Sequence, residues 1–169
     1  MSGQHRLQSG KGLPYEESLN MGLKVRGPGV PHGVALDHLI SNVDVAPTIT
    51  ELAGVAPPNG HDVRSFASVI SANPPELSAW RKSVPTFFLK GSGGSWPGWR
   101  GVRTNQYTYT EYTTGEKELY DNADDPFQLK SLHASAATAT LRTQLGSLTS
   151  RLATCQGETC RTIEDEDVP

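Results

Sequence analysis

The chain has 169 residues, of which 36% are hydrophobic and 20% charged, and its formal net charge is −3 at pH 7. This length suits one ordinary domain, or one small domain with an appendage. The acidic balance argues against a protein that binds nucleic acid through bulk electrostatics. Apolar runs of a few residues fall far short of the roughly 20 that a membrane-spanning helix needs. We therefore expect neither nucleic acid nor membrane as a partner.

The first half of the chain is rich in loops, with two predicted elements. Residues 23–26 alternate apolar and charged side chains and predict a short strand. Asp44 is placed to cap a helix that begins at the next residue, and Gly54 is placed to end it. The apolar residues of this helix recur at helical spacing: Val45, Ile49, Leu52 and Ala53.

The second half predicts a small antiparallel sheet covered by a helix. Residues 84–89 have the composition of a buried strand, and residues 99–104 and 107–112 predict a hairpin around Asn105-Gln106. Residues 118–120 can add a third antiparallel strand. A leucine stripe at helical spacing follows: Leu141, Leu145, Leu148 and Leu152. Together these elements indicate an α+β unit.

A polar stretch near the N-terminus contains the candidate chemistry. Residues 3–17 include a histidine, an arginine, a lysine and two glutamates around glycines, with almost nothing apolar. Lys11 lies between Gly10 and Gly12, so no neighbouring side chain obstructs its approach to an anion. Taken alone, this pattern is more typical of an ordinary surface loop than of an anion site.

In its sequence context the stretch belongs to an ordered series of motifs. The series resembles the C-terminal part of the sulfatase family, and it is most similar to arylsulfatases and N-acetylglucosamine-6-sulfatases. It extends over nearly the whole chain to about Arg161. The motifs are Gly3-Gln4-His5-Arg6-Leu7, Gly10-Lys11-Gly12, Pro14-Tyr15-Glu16-Glu17, Val25-Arg26-Gly27-Pro28, Ser41-Asn42-Val43-Asp44, Val102-Arg103-Thr104 and Glu118-Leu119-Tyr120-Asp121.

The resemblance implies an α/β, alkaline-phosphatase-like fold with a smaller C-terminal sheet-and-helix subdomain. Residues 1–75 would then be a distal remnant of the catalytic α/β domain, and residues 76–155 the C-terminal subdomain. We expect residues 156–169 to form an acidic, disordered tail.

The resemblance also implies hydrolysis of sulfate esters of sugars or aryl alcohols. In the family a formylglycine, made from the Cys or Ser of a Cys/Ser-x-Pro-x-Arg motif, attacks sulfur, and carboxylates and an Asn hold a calcium ion. The lysine at the position of Lys11 contacts the sulfate and the leaving oxygen. His5 would line the sulfate pocket, although an exposed loop histidine is an equal alternative.

The sequence departs from the family pattern in its reactive groups. It contains no Cys/Ser-x-Pro-x-Arg motif, and the metal ligands of the family would precede Met1. We therefore expect a C-terminal fragment that contributes Lys11 but lacks the nucleophile and the calcium ligands, and that is inactive as an isolated chain. The alternative is a non-catalytic truncated product or an interaction module.

Cys155 and Cys160 are separated by four residues that include a glycine. Three states of these two cysteines are possible. A disulfide can close a loop this short. A zinc site would need further ligands, because two thiolates are too few for it, and free thiols would be expected in a reducing compartment. Because sulfatases of the type that this chain resembles are often exported, the resemblance favours the disulfide and a secreted or extracytoplasmic parent protein.

The absence of a signal peptide after Met1 fits an upstream truncation. The sequence assigns neither the substrate nor the oligomeric state.

Overall fold

The computed structural model of the chain describes residues 4–6, 12–56, 62–89 and 96–168. Contacts within the chain group it into two compact units. Unit 1 comprises Met1–Gly22, Pro85–Ala153 and Val168–Pro169, and unit 2 comprises Leu23–Val84 and Thr154–Asp167. Each unit combines segments from distant parts of the sequence.

A four-stranded sheet has the strand order β1-β2-β3-β4. Its strands are β1 (Ser83–Phe88), β2 (Trp99–Thr104), β3 (Tyr107–Tyr112) and β4 (Lys117–Asp121). β3 pairs antiparallel with both β2 and β4. The Thr104 hydroxyl accepts a hydrogen bond from the Tyr107 amide at 2.8 Å and closes the predicted hairpin turn. The structure confirms the small antiparallel sheet.

Helix α3 (Ala139–Leu152) packs against β2 and β3. Leu145, Leu148 and Leu152 of the predicted leucine stripe are buried. Each buried leucine stabilises the fold by roughly 1.5–3 kcal/mol relative to an exposed one, so the stripe accounts for the position of the helix. On the sheet, Tyr109 contributes to the face towards α3, because its hydroxyl lies next to Gly146 of this helix.

Unit 2 has a separate small core. Helix α2 (Val45–Leu52) follows the 3-10 turn Asn42–Asp44 and begins at the predicted residue. The buried core residues are Phe66, Val69 and Trp80, with Ile40 and Ile70 packed against them. The strand predicted at residues 23–26 is wrong, because the structure has irregular backbone there with Leu23 and Val25 exposed. A lone strand has no partner for its backbone groups and is not stable.

The role predicted for Asp44 requires correction. This carboxylate is fully buried and makes no side-chain cap to α2. It accepts hydrogen bonds from the backbone amides of Ser41 at 2.8 Å and Arg64 at 3.0 Å, and from the Arg81 guanidinium. Arg81 also donates to a Glu164 oxygen at 3.3 Å. A buried charge needs such partners, so Asp44 belongs to a buried ion network of unit 2 and does not cap α2 with its side chain.

The C-terminal segment also differs from expectation. Residues predicted to be a disordered tail form helix α4 (Glu158–Glu164), in which Cys160 and Glu164 are buried. The sulfurs of Cys155 and Cys160 are bonded, and their Cα atoms are 5.1 Å apart. Arg64 pairs with Asp165 at 2.9 Å. Glu164 and Asp165, two acidic residues of this segment, therefore each have an arginine partner in unit 2. No helix in the described part of the chain is long and apolar enough to cross a membrane.

Candidate functional site

The residues that follow Lys11 lie on the sheet face opposite α3. We call residues 12–19 the anchor segment; it ends in the short helix α1 (Glu16–Leu19). Because side chains alternate along a strand, the residues that contact this segment share the face away from Tyr109 and α3. They are Trp99, Arg103, Tyr112, Glu118 and Tyr120.

Gly12 is the first described residue after Lys11, and it makes a close contact. Its carbonyl oxygen accepts a hydrogen bond from Trp99 Nε1 at 3.0 Å. A Cβ atom at this position would overlap the indole ring of Trp96, so only glycine fits without displacing that ring. The fully buried Pro14 follows two residues later. The backbone on the C-terminal side of Lys11 is therefore held closely against the sheet.

Tyr15 connects the anchor segment to β4. Its hydroxyl donates to Glu118 Oε1 at 3.4 Å, and Tyr112 donates to the other oxygen of Glu118 at 3.0 Å. Burial raises the pKa of Tyr15 to about 12, and the Glu118 carboxylate adds to the increase. Burial and then Glu118 also raise the pKa of Tyr112 and of Tyr120, whose ring meets that of Tyr15 edge-on. These phenols remain protonated at neutral pH and serve as hydrogen-bond donors.

Glu16 makes two further contacts with the body of unit 1. Its carboxylate accepts a hydrogen bond from Arg103 Nε at 2.7 Å. Its backbone amide donates to Gln128 Oε1 at 2.8 Å. Both groups of Glu16 are only partly buried, yet each has a specific partner. The anchor segment is thus held at Gly12, Tyr15 and Glu16, through side chains that come from three strands and one loop.

Of the two residues predicted to contact sulfate, the structure describes one. Lys11 lies outside the described residues. The His5 ring stacks on Tyr15 with centroids 3.8 Å apart and planes 9° from parallel. Its Nε2 is 3.4 Å from Glu17 Oε2, and only 10% of its side chain is exposed. This placement argues against the exposed loop histidine, and it puts His5 beside the anchor segment.

The described residues contain no group of three or more His, Cys, Asp or Glu side chains that could hold a metal ion. The carboxylates of the site are already occupied, since Glu16 pairs with Arg103 and Glu118 accepts two phenol hydrogen bonds. This set does not fit the carboxylate-rich calcium site that the family resemblance implies. The arrangement of the described residues can position groups next to a substrate.

Sequence reasoning missed the residues that hold the anchor segment. Glu118 and Arg103 stood in motifs that carried the family resemblance, but the motifs did not show that these side chains meet Tyr15 and Glu16. Gln128 stood in no motif. Its backbone φ of +52° is a structural signal with no counterpart in the sequence, because glutamine rarely adopts this conformation.

Comparisons with known proteins show the family of the chain. Residues 3–156 match the family model described as N-sulphoglucosamine sulphohydrolase, C-terminal. Sulfatase ppz1 of Metarhizium majus is 31% identical over 167 residues, which cover 94% of this chain and 35% of that protein. The chain spans about a third or less of the length of the curated relatives that it matches.

Solved structures show the same fold. A 2-O GAG sulfatase has a TM-score of 0.67 and 24% identity, with 85% of this chain and 31% of that chain covered. A protein solved in complex with its substrate D-glucosamine-2-N,6-O-disulfate has a TM-score of 0.60 and 23% identity, with 75% and 26% covered. The structure is consistent with the C-terminal portion of the alkaline-phosphatase-like fold. From the family model and these relatives, the chain belongs to the sulfatase family and corresponds to its C-terminal region.

Proposed function

We propose that this chain forms the C-terminal part of a sulfuric ester hydrolase and that Lys11 contributes a cation to the bound sulfate group. The observation that supports this proposal is the attachment of the anchor segment to the sheet. Gly12, the residue after Lys11, is held there by a hydrogen bond from Trp99. Sulfate carries negative charge that shifts towards the leaving oxygen as the ester bond breaks. A cation held in place beforehand lowers the free energy of that state without reorganisation during the reaction.

His5 is the second group that we assign to the sulfate pocket. Its ring stacks on Tyr15 and lies 3.4 Å from Glu17, beside the anchor segment. An imidazole N–H can donate a hydrogen bond to a sulfate oxygen. Lys11 would then contribute positive charge, and His5 a hydrogen-bond donor, to the same sulfate group.

The nucleophile and the calcium ligands are proposed to come from outside this sequence. Calcium, where the complete enzyme binds it, would supply a divalent charge next to the sulfate. We propose sulfated sugars or aryl sulfates as substrates, with sugars supported by the sulfated glucosamine substrate of one structural relative. The Cys155–Cys160 bond supports a parent protein that works in an oxidising, extracytoplasmic compartment.

A non-catalytic interaction module is the alternative function. The observation that favours it is the exposed apolar surface of unit 2, where Ile49 is 61% and Leu52 64% exposed. Such a surface is typical of a region that another protein or another domain covers. The rest of a longer sulfatase is the covering partner under our proposal, and an unrelated protein is the partner under the alternative.

Replacing Lys11 with alanine tests the proposal at two levels. In a complete sulfatase that carries the Gly-Lys-Gly motif, the loss of this cation should lower the rate by about 10²–10³, or roughly 2–4 kcal/mol of transition-state stabilisation. In the present chain, NMR of the lysine side chains during titration with inorganic sulfate should show a response at Lys11. The exposed Lys24 is the matched control in the same spectrum. Unchanged kinetics, or equal responses at both lysines, would refute the role of Lys11 and favour the interaction module.

A further inference from the structure

A surface cavity of about 500 Å³ lies on the α3 side of the sheet in unit 1, opposite the anchor segment. It is lined by residues of β3, β4, α3 and the loop before α3, and small residues of α3 such as Gly146 and Ser147 leave it open. A Cβ atom at Gly146 would lie 3.4 Å from the Tyr109 hydroxyl and 3.7 Å from a Glu111 oxygen, so a larger side chain there would occupy this space. The volume falls within the range of about 300–1,000 Å³ that is typical of small-molecule sites.

Two cationic side chains, Arg142 and Lys117, line this cavity. Arg142 Nη1 donates to the carbonyl oxygens of His133 and of Ser135, the latter at 2.6 Å. The hydrogen bonds described for this guanidinium all use Nη1, so Nε and Nη2 remain available to a ligand. The Lys117 ammonium has three donors and makes one described hydrogen bond, to Glu111 at 2.8 Å. A guanidinium edge fixed in this way can hold two oxygens of a carboxylate or sulfate group.

Glu111 brings a negative charge to the cavity, but its charge is already compensated. Its Oε1 accepts hydrogen bonds from Lys117 at 2.8 Å and from the Tyr109 hydroxyl at 3.0 Å, and its Oε2 accepts one from Arg100 at 3.0 Å. Burial would raise the pKa of Glu111, but hydrogen bonds from these three side chains lower it overall. Arg100 balances Glu111 in charge. Lys117 and Arg142 then leave a net charge of +2 at the cavity, although the whole chain carries −3.

His133 also lines the cavity, and its protonation senses these charges. Burial lowers the pKa of its ring, Arg142 and Lys117 lower it further, and Glu111 opposes them. The remaining neighbour on the sheet is Tyr109, whose ring centroid is 6.5 Å from that of His133. An anion bound beside the two cations would offset their charge and raise the pKa of His133. Anion binding and protonation of this ring would therefore favour each other.

We propose that this cavity binds the carboxylate or sulfate group of a sugar. Arg142 holds the anionic group through its Nε and Nη2 edge, and Lys117 holds it through its ammonium. The cavity is much larger than one such group, and its described lining includes the hydroxyls of Thr143 and Ser147 and no aliphatic side chain larger than alanine. Sugar hydroxyls can exchange hydrogen bonds with this wall, whereas an apolar ligand would leave it unpaired. The site uses no residue of the anchor segment, so it does not depend on the function proposed above.

The first test follows the His133 ring by NMR in the full chain. A pH titration gives the pKa of the ring alone and with glucose 6-sulfate, glucuronate, glucose or methyl sulfate. We expect the two sugar anions to raise this pKa and neutral glucose to leave it unchanged. Methyl sulfate carries the same charged group without the sugar, and it should bind at least about fivefold more weakly than glucose 6-sulfate, the factor that one neutral hydrogen bond represents.

The outcomes of this titration decide the ligand class. A response to only one sugar anion supports the site and identifies the anionic group that it prefers. The proposal is overturned if neither sugar anion raises the pKa of His133, if neutral glucose raises it equally, or if methyl sulfate binds as tightly as glucose 6-sulfate.

The substitution Ser147→Glu tests the location of the site. Ser147 is exposed on α3 and lines the cavity, so a carboxylate there would repel the ligand and weaken its affinity at least about fivefold. It should also raise the pKa of His133 without ligand, which verifies that the new charge faces the cavity. The matched control Gln144→Glu adds the same charge to an exposed position of α3 outside the lining, where water and salt screen it. Equal affinities in the two variants would overturn the proposed location.

A second pair of variants keeps the test decisive if Ser147→Glu does not fold. Lys117→Gln removes a cation from the cavity and should weaken the binding of the sugar anion by about two- to fivefold, as expected for a partly exposed ion pair. Lys130→Gln removes the same charge from an exposed lysine of the same unit outside the cavity. It should leave the affinity unchanged. Equal affinities in Lys117→Gln and Lys130→Gln would contradict the role of Lys117 and overturn the proposal.

Discussion

Glu164 is the group whose protonation should most affect the stability of unit 2. Its side chain is buried in α4, 3.3 Å from one guanidinium nitrogen of Arg81, whose other terminal nitrogen pairs with Asp44. Burial raises the pKa of Glu164 from 4.5 to about 7, and the neighbouring carboxylates of Asp44 and Asp165 contribute to the increase. The positive charges of Arg81 and Arg64 lower this pKa and oppose the effect of burial. Arg81 is shared between two carboxylates, so it does not fully offset the cost of burying the second.

The sign of the pH dependence follows from proton binding. Between pH 4.5 and about 7 the folded chain holds a proton on Glu164 that the unfolded chain releases, so the free energy of unfolding falls as the pH rises through this window. One pKa unit corresponds to about 1.4 kcal/mol, so Glu164 should lower the stability by about 3 kcal/mol between these limits. Below pH 4.5 and above about pH 7 this contribution should be constant.

The substitution Glu164→Gln removes the titration but keeps the side-chain volume and an oxygen acceptor for Arg81. We expect the variant and the wild type to be about equally stable at pH 4.5, and the variant to be more stable by up to about 3 kcal/mol at pH 7.5. Urea unfolding followed by tryptophan fluorescence at several pH values measures this difference. Glu158→Gln, on the exposed side of the same helix, is the control. A difference between wild type and Glu164→Gln that stays constant over this pH range would refute the reasoning.

Four further predictions follow from the same structure. Gly12→Ala should destabilise unit 1 by about 1–3 kcal/mol, because its Cβ would displace the Trp96 ring; thermal unfolding measures this loss, and an unchanged midpoint would contradict it. A thiol assay on denatured, unreduced protein from an oxidising compartment should find no reactive thiol, and reduction of Cys155–Cys160 should cost about 2 kcal/mol. Ile49→Lys should change the unfolding free energy by less than about 0.5 kcal/mol and should reduce self-association in sedimentation experiments. The purified chain with calcium and an aryl sulfate should show no turnover above a heat-killed control, since we expect it to lack a nucleophile and metal ligands.

Local patterns in the sequence predicted several elements well. The hairpin at residues 99–112 and the helix with the stripe Leu145, Leu148 and Leu152 both appear where the periodicity placed them. Helix α2 begins at Val45, as predicted. These elements depend on residues within a few positions of one another. In the hairpin and in α3 the spacing of apolar side chains specifies the buried face, whereas in α2 the buried residues are Pro47 and Thr48 and the predicted apolar face is exposed.

The candidate site could be predicted only in part. The motif series indicated the family, because its motifs follow one another in a fixed order along the chain; the sulfate contacts of Lys11 and His5 stay predictions. The partners of the anchor segment could not be predicted, since Glu118 lies 103 positions from Tyr15, and Gln128 lies 112 positions from Glu16. Such pairings depend on which face of the sheet the segment covers, and local periodicity carries no information about that choice.

The sequence by itself therefore determined the sulfatase family, the antiparallel hairpin and the amphipathic helices. Only the tertiary structure decided that Asp44 is a buried ion-pair partner and that the acidic C-terminal residues form a helix. Both outcomes have the same physical cause. A carboxylate is stable away from water only when cations and amide donors surround it, and here Arg64 and Arg81 come from segments far from Asp44 and Glu164 in the chain.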